Sequence, residues 1–198
     1  LNIFLTSNIQ MIRLLFFLLT ISISAQDNLK EKQFKVNTVF LPIGIINAGM
    51  EFPLSTQFTV QGDVFISPWK SIANHHALVA MGHIEGRYYL RERYDGWYAG
   101  VHVGGGVFEL TKWNYSGTNK FQRGFSFMVG GTIGYQWDIS YRWGLDFYLG
   151  GGTVQSFYKG YDQLSGKFIT RYEKSSTWNK SGEFLPYRGG IMLTYKLK

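Results

Sequence analysis

The chain has 198 residues, a formal charge of +7, 18% aromatic residues, 24 glycines, four prolines and no cysteine. This length permits one domain with a real core, and a Gly-rich, aromatic-rich, Pro-poor composition suits an all-β protein in which small residues face large ones. Without cysteine a disulfide scaffold, a thiolate metal centre and a lipidated N-terminal cysteine are excluded. Lys and Arg are dispersed and no groove-reading motif is present. The charge therefore reads as scattered loop charge, available to anionic lipopolysaccharide, and not as a nucleic-acid surface.

The first stretch, Leu1 to Ala25, has the layout of a secretory signal. Met11-Ile12-Arg13 is a short basic region and Leu14 to Ile23 an apolar one, too short to span a bilayer as a helix. Ser24-Ala25 before Gln26 resembles a signal-peptidase site. The residues before Met11 add nothing to this signal, so translation is expected to begin at Met11. An uncleaved membrane anchor is the alternative. Residues 26–33 read as a polar periplasmic lead-in, and 34–198 as the remaining domain.

Eight segments with period-two alternation follow, the pattern of strands whose side chains leave on opposite faces. They are Lys35 to Leu41, Ile46 to Phe52, Phe58 to Ser67, Ala80 to Leu90, Trp97 to Phe108, Phe125 to Trp137, Trp143 to Val154 and Tyr187 to Leu197. In the fourth, His83, Glu85, Arg87 and Tyr89 share one face, while Ala80, Gly82, Ile84, Gly86, Tyr88 and Leu90 share the other. In a soluble sandwich the apolar face is buried. In a membrane barrel it meets lipid and the charges line the interior.

Two features choose the barrel. Short connections (Pro53 to Thr56, Arg91 to Gly96, Asp138 to Arg142) alternate with long ones (Ser67 to His75, Glu109 to Gln122, Lys159 to Pro186). Only the hairpin around Pro42 to Ile45 breaks that order. Aromatic residues also collect at the strand ends: Trp97, Trp137 and Trp143 beside the short turns, with Tyr94 and Tyr141 in them, and Trp69, Trp113 and Tyr158 towards the long loops. Two such belts are expected where rings straddle a membrane interface. The expected fold is an all-β, eight-stranded antiparallel up-and-down transmembrane β-barrel with a polar interior and periplasmic termini.

A barrel of eight strands is just wide enough to be filled by its side chains, so inward charges need partners. Alternation places Glu51, Asp63, Glu85 and Asp146 inward with Lys35, Arg87, Arg188 and Lys196, and with the titratable His83 and His102. An ion-paired plug is the expected result. Catalysis is the competing reading, but His83 and His102 lie mid-strand, and no serine or acid at fixed spacing makes His75-His76 a base beside a nucleophile. Adjacent residues on a strand point to opposite faces, so that pair makes a poor chelate, and no metal or cofactor is expected. The glycine clusters (104–106, 130–131, 150–152, 189–190) lack the strand-to-helix step of a phosphate loop. They read as bends and close approaches, with a notch in the wall as a secondary reading.

Arg188-x-Gly190-x-x-Leu193-x-Tyr195 resembles the C-terminal signal read by the barrel assembly machinery, although the chain ends Lys196-Leu197-Lys198 without a terminal aromatic residue. The ordered pieces Lys35-x-Asn37, Asn47-x-Gly49-x-Glu51, Pro68-Trp69, Glu85-x-Arg87-Tyr88-Tyr89, Gly100-x-His102, Gly134-Tyr135-Gln136-Trp137 and Arg142-Trp143-x-Leu145 resemble a family of small outer-membrane proteins of the Bacteroidetes, domain of unknown function 3575. The resemblance implies an outer-membrane barrel and carries over no catalytic residue. The expected role is non-enzymatic: a monomeric structural, surface-contact or accessory subunit of the Gram-negative envelope. A protein partner is expected at loop 159–186, and outer-membrane lipid and lipopolysaccharide around the wall. A lipid-modifying or hydrolytic enzyme and a narrow pore are the alternatives.

Overall fold

The computed structural model describes residues 31–72, 75–111, 118, 120–162, 164–165, 168–169 and 179–197. The expected signal segment, Trp113 and the middle of loop 159–186 lie outside the described residues. The strands are β1 (Lys32–Asn37), β2 (Ile46–Pro53), β3 (Phe58–Ile72), β4 (His75–Tyr89), β5 (Gly96–Leu110), β6 (Lys120–Asp138), β7 (Trp143–Asp162), β8 (Phe168–Ile169) and β9 (Asn179–Leu197). Each strand from β1 to β7 pairs antiparallel with the next, β7 pairs with β9, and β9 returns to β1. Eight strands thus close an up-and-down ring, and β8 is a two-residue addition on the upper part of β7. Among the described residues no helix is long and apolar enough to cross a membrane.

Alternation explains why these residues form this wall. Inward residues of β4 and β5 such as Glu85, Arg87, Tyr98 and His102 are buried, while outward Ile84, Val101 and Val103 are exposed. The turn end carries the connections 54–57, 90–95 and 139–142 together with Lys32 and Leu197. The loop end carries the other connections.

The strands run further towards the loop end than the alternation implied. The expected long loop from Ser67 to His75 is largely strand, since Pro68 pairs with Leu78 and Trp69 with Ala77. Lys159–Asp162 and residues 179–186 also belong to strands, so both ends of that expected loop are part of the wall. Above an apolar band both faces of a strand can meet polar surroundings, so the periodic signal fades while the ladder continues. At the other end, β1 begins at Lys32, inside the expected lead-in, and stops at Asn37, where the hairpin 38–45 takes over.

Two tyrosines assigned to the aromatic belts are interior. Tyr158 is buried under the loop end. Tyr94 takes a left-handed φ of 68° in the β4–β5 turn, a conformation costly for a residue with a Cβ. It is held there because its ring folds back against Tyr89, and its hydroxyl donates to the Glu31 carbonyl at 3.0 Å. Burial, with the Glu51 carboxylate behind it, pushes its phenol up.

Candidate functional site

Cross-strand register assembles the polar interior. Asp63 of β3 stands opposite His83 of β4, Gln61 opposite Glu85, and Glu85 in turn opposite His102 of β5. On the far wall Gln136 of β6 faces Asp146 of β7. Residues so placed are close enough for side chains to pair directly.

The turn-end half is closed by an ion-pair network. Lys35 binds Glu51, and its Nζ donates to Asp146 at 2.8 Å and to Gln136 at 3.1 Å. Arg87 Nη1 reaches Asp146 at 2.8 Å and Glu51 at 3.2 Å, while its Nη2 reaches Glu85 at 3.3 Å. Glu85 also meets Arg188 at 3.0 Å, and Arg188 meets Asp63 at 2.5 Å, so the chain of charges continues towards the loop end. His83 lies 3.4 Å from Asp63. Tyrosines complete the carboxylates: Tyr89 donates to Glu51 at 2.8 Å, and Tyr98 donates to Asp146 at 2.7 Å with its ring under Arg87. Lys35, Glu51, Glu85, Arg87 and Asp146 have side chains with no solvent exposure. Burying an ion costs several kcal/mol, and only dense pairing of this kind offsets it.

Glycine makes the room. A Cβ at Gly100 would strike the Glu85 carboxylate, one at Gly104 the His83 ring, and one at Gly134 the Tyr98 ring. These inward glycines are seats for large neighbours. The outward Gly131 and Gly151 line a trough in the wall, the notch that the glycine clusters suggested.

Above the network the interior is emptier. His102 sits between Thr132, 3.1 Å from Nδ1, and the Tyr187 hydroxyl, 2.6 Å from Nε2. Higher still, Met81, Met128, Phe108 and Val154 surround a chamber of about 260 Å³, with Ser126 and Ser156 hydrogen-bonded at 2.7 Å on its wall. A second cavity of about 470 Å³ shares Phe65, Met81 and Tyr187 with it and reaches down to Asp63, His83 and Arg188.

Of the residues assigned to the interior, Glu51, Asp63, Glu85, Arg87, Asp146 and Arg188 come together in one chain of ion pairs, and His83 and His102 border it. Lys196 stands apart: at the turn-end rim it pairs with Asp138 at 2.6 Å, both partly exposed. Trp97, Trp137 and Trp143 face outward near the turn end, with Trp97 against Tyr135 and Trp143 against Tyr195. Trp69 lies over Gly44 and donates to the Ile43 carbonyl at 2.8 Å, so its polar edge is tied to the hairpin. His76 stacks on Phe121, 4.4 Å between ring centroids, and among the described residues no group of three or more ligating side chains could hold a metal ion.

Sequence reasoning missed Tyr187. Strict alternation turns it outward, yet it and Arg188 both point in, because the ladder slips between the Gly150↔Arg188 and Gly152↔Leu185 pairs. Pro186 was the available signal, since proline inside a strand marks a bulge or an edge.

The family described as Protein of unknown function (DUF3575) matches residues 12–197 of this chain. No curated protein matches it. No solved structure matches it either.

Proposed function

The chain belongs to the DUF3575 family, which brings no activity with it, and on that premise we propose that it is a small, non-enzymatic barrel of a Gram-negative outer membrane. In this reading it is closed to solutes and serves as a structural, surface-contact or accessory subunit of an envelope assembly. The observation that carries the proposal is the inversion of polarity across the wall. Arg87, Lys35 and Glu85 are fully buried, while Val101 is 73% exposed and Val129, Ile133 and Leu149 are each 61% exposed. In water each such apolar side chain would forfeit roughly 1.5–3 kcal/mol of burial. Against lipid that cost vanishes.

The network argues against a pore, because its ion pairs and tyrosines occupy the turn-end interior. The arrangement around His102 argues against a hydrolase. Thr132 Oγ1 is within hydrogen-bond distance, but the other ring nitrogen meets a tyrosine hydroxyl where a triad needs an orienting carboxylate. The segment 159–186 would serve as the docking site of a protein partner, and the dispersed positive charge suits lipopolysaccharide. The test is conductance of the purified barrel in planar bilayers. A closed barrel gives no channel steps, and steps that scale with solute size would establish the pore instead.

A further inference from the structure

The barrel wall is incomplete in its loop-end half. β2 pairs with β3 only as far as Ile46↔Ile66, and β1 pairs with β9 only as far as Asn37↔Met192. Beyond those points β3 continues to Ile72 and β9 extends from Ile191 back to Asn179, with no ladder between them among the described residues. At the level of Asn37 the two strands are three strand spacings apart, roughly 14 Å. Apart from Pro53 at the end of β2, the prolines of the strands are Pro68 and Pro186, and they lie on these two strands, where a missing N–H does least harm.

The hairpin 38–45 crosses this gap but leans towards β3. Phe40 packs edge-on against Phe65 at 5.6 Å, and Trp69 holds the Ile43 carbonyl. Its described hydrogen bonds to β9 come from Thr38 at the base, to the Ile191 carbonyl. Between hairpin and β9 the 470 Å³ cavity passes through the wall, because its lining includes inward Met81 and His83 as well as outward Leu149 and Pro186. On the outside, Leu149 and Pro186 also border the trough of about 750 Å³ along Gly131 and Gly151. Val129 and Phe127, exposed and apolar, follow Gly131 towards the loop end, so the trough lies within the apolar band.

The inner end of this path has a polar group to offer. Arg188 is buried, its Nη2 is tied to Asp63 and Glu85, and its Nη1 has no hydrogen-bond partner among the described residues. The connected charges are Glu51, Asp63, Glu85 and Asp146 against Lys35, Arg87 and Arg188, an excess of one negative charge. A proton on His83 would only balance the set. An incoming carboxylate would add an unbalanced buried charge, so the free N–H suits an uncharged acceptor.

We infer that the loop-end half of the barrel binds one aliphatic chain of a membrane amphiphile with an uncharged acceptor group, admitted sideways between the hairpin and β9. The chain lies in the chamber beside Met81, Met128 and Phe108, and the acceptor sits at Arg188 Nη1. Thioether side chains adapt to such a guest, and the chamber together with the 470 Å³ cavity that adjoins it at Phe65, Met81 and Tyr187 falls in the range of small-molecule sites. The sideways route rests on the lipid-facing wall proposed above, whereas the chamber does not.

The experiment uses the full chain in amphipol, titrated calorimetrically with monodecanoylglycerol and, separately, with decanoate and decyltrimethylammonium. One monodecanoylglycerol per barrel is expected, bound more tightly than either charged analogue. Met128→Trp, or Met81→Trp should the first fail to fold, fills the chamber and lowers affinity roughly tenfold or more. Gly131→Phe fills the trough, where an added Cβ makes only an ordinary contact 3.5 Å from the Gly100 carbonyl. It should slow association in lipid nanodiscs and leave affinity in amphipol unchanged. Folding of each variant is verified by its heat-dependent gel shift. A folded wild-type barrel that takes up no monodecanoylglycerol, or a chamber-filled variant that binds it as the wild type does, overturns the inference. Equal binding of a charged analogue overturns the uncharged acceptor. A barrel that will not insert into bilayers defeats the lipid-facing reading, and the amphipol titration still decides the chamber.

Discussion

The two halves of this barrel share the same strands and are filled in opposite ways. Towards the turn end the inward positions carry Lys35, Glu51, Glu85, Arg87, Tyr89, Tyr98 and Asp146, long polar groups locked to one another. Towards the loop end the inward positions of the same wall carry Gly104, Gly106, Ser126, Ser156, Met81 and Met128, and a chamber remains. The number of strands sets how much room a barrel has, but the inward side chains decide whether that room is a plug or a pocket. The closed half needs charge pairing to exist at all. The open half, with a chamber bordered mainly by apolar side chains, is also the half in which the wall loses its ladder between β3 and β9 among the described residues.

The sharpest way to break this contrast is to remove one charge from the closed half. Arg87→Met leaves Glu51, Glu85 and Asp146 short of a cation in a solvent-free interior. It is expected to cost about 3–5 kcal/mol in a urea unfolding titration, or to prevent folding. Met81→Leu in the open half conserves volume and should cost less than about 1.5 kcal/mol. Equal losses would mean that the halves are not differently built.

A smaller effect separates the two faces of the wall. Gly104→Ala drives a methyl into the His83 ring and is expected to cost about 1–3 kcal/mol. Gly86→Ala on β4 points into open space. There the alanine should be neutral or should stabilise by up to about 1 kcal/mol through the unfolded chain. Smallest of all is the rim: Lys196→Gln removes a partly exposed pair with Asp138, and a change of no more than about 1 kcal/mol is expected. A larger loss would draw Lys196 into the network.

The outer wall was the legible part of this molecule. Where apolar and polar surfaces lie on opposite sides of a strand, alternation is enforced residue by residue, and Ile84, Glu85, Gly86 and Arg87 can be sorted by parity alone. Parity also supplied the charged members of the plug. It could not supply what depends on a third dimension. Nothing local says that Tyr89 and Tyr98 satisfy Glu51 and Asp146, or that Tyr94 folds back under the ring. Alternation failed where the strand itself is irregular, at Pro186–Arg188, and where strands leave the apolar band, from Ser67 to His75 and from Lys159 to Asp162. The hairpin after Asn37 read as an exception to the loop pattern, and it flanks the gap between β3 and β9, where no ladder joins the described residues.

The central claim is that the exposed apolar face lies against lipid, and collision accessibility of nitroxide labels measures this directly. The chain has no cysteine, so single cysteines at Val101, Val129 and Ile133 can be labelled without background. In reconstituted vesicles these labels should meet oxygen dissolved in the bilayer far more often than a water-soluble nickel chelate. Labels at all three positions that meet the chelate more often than oxygen would place this face in water and contradict the account.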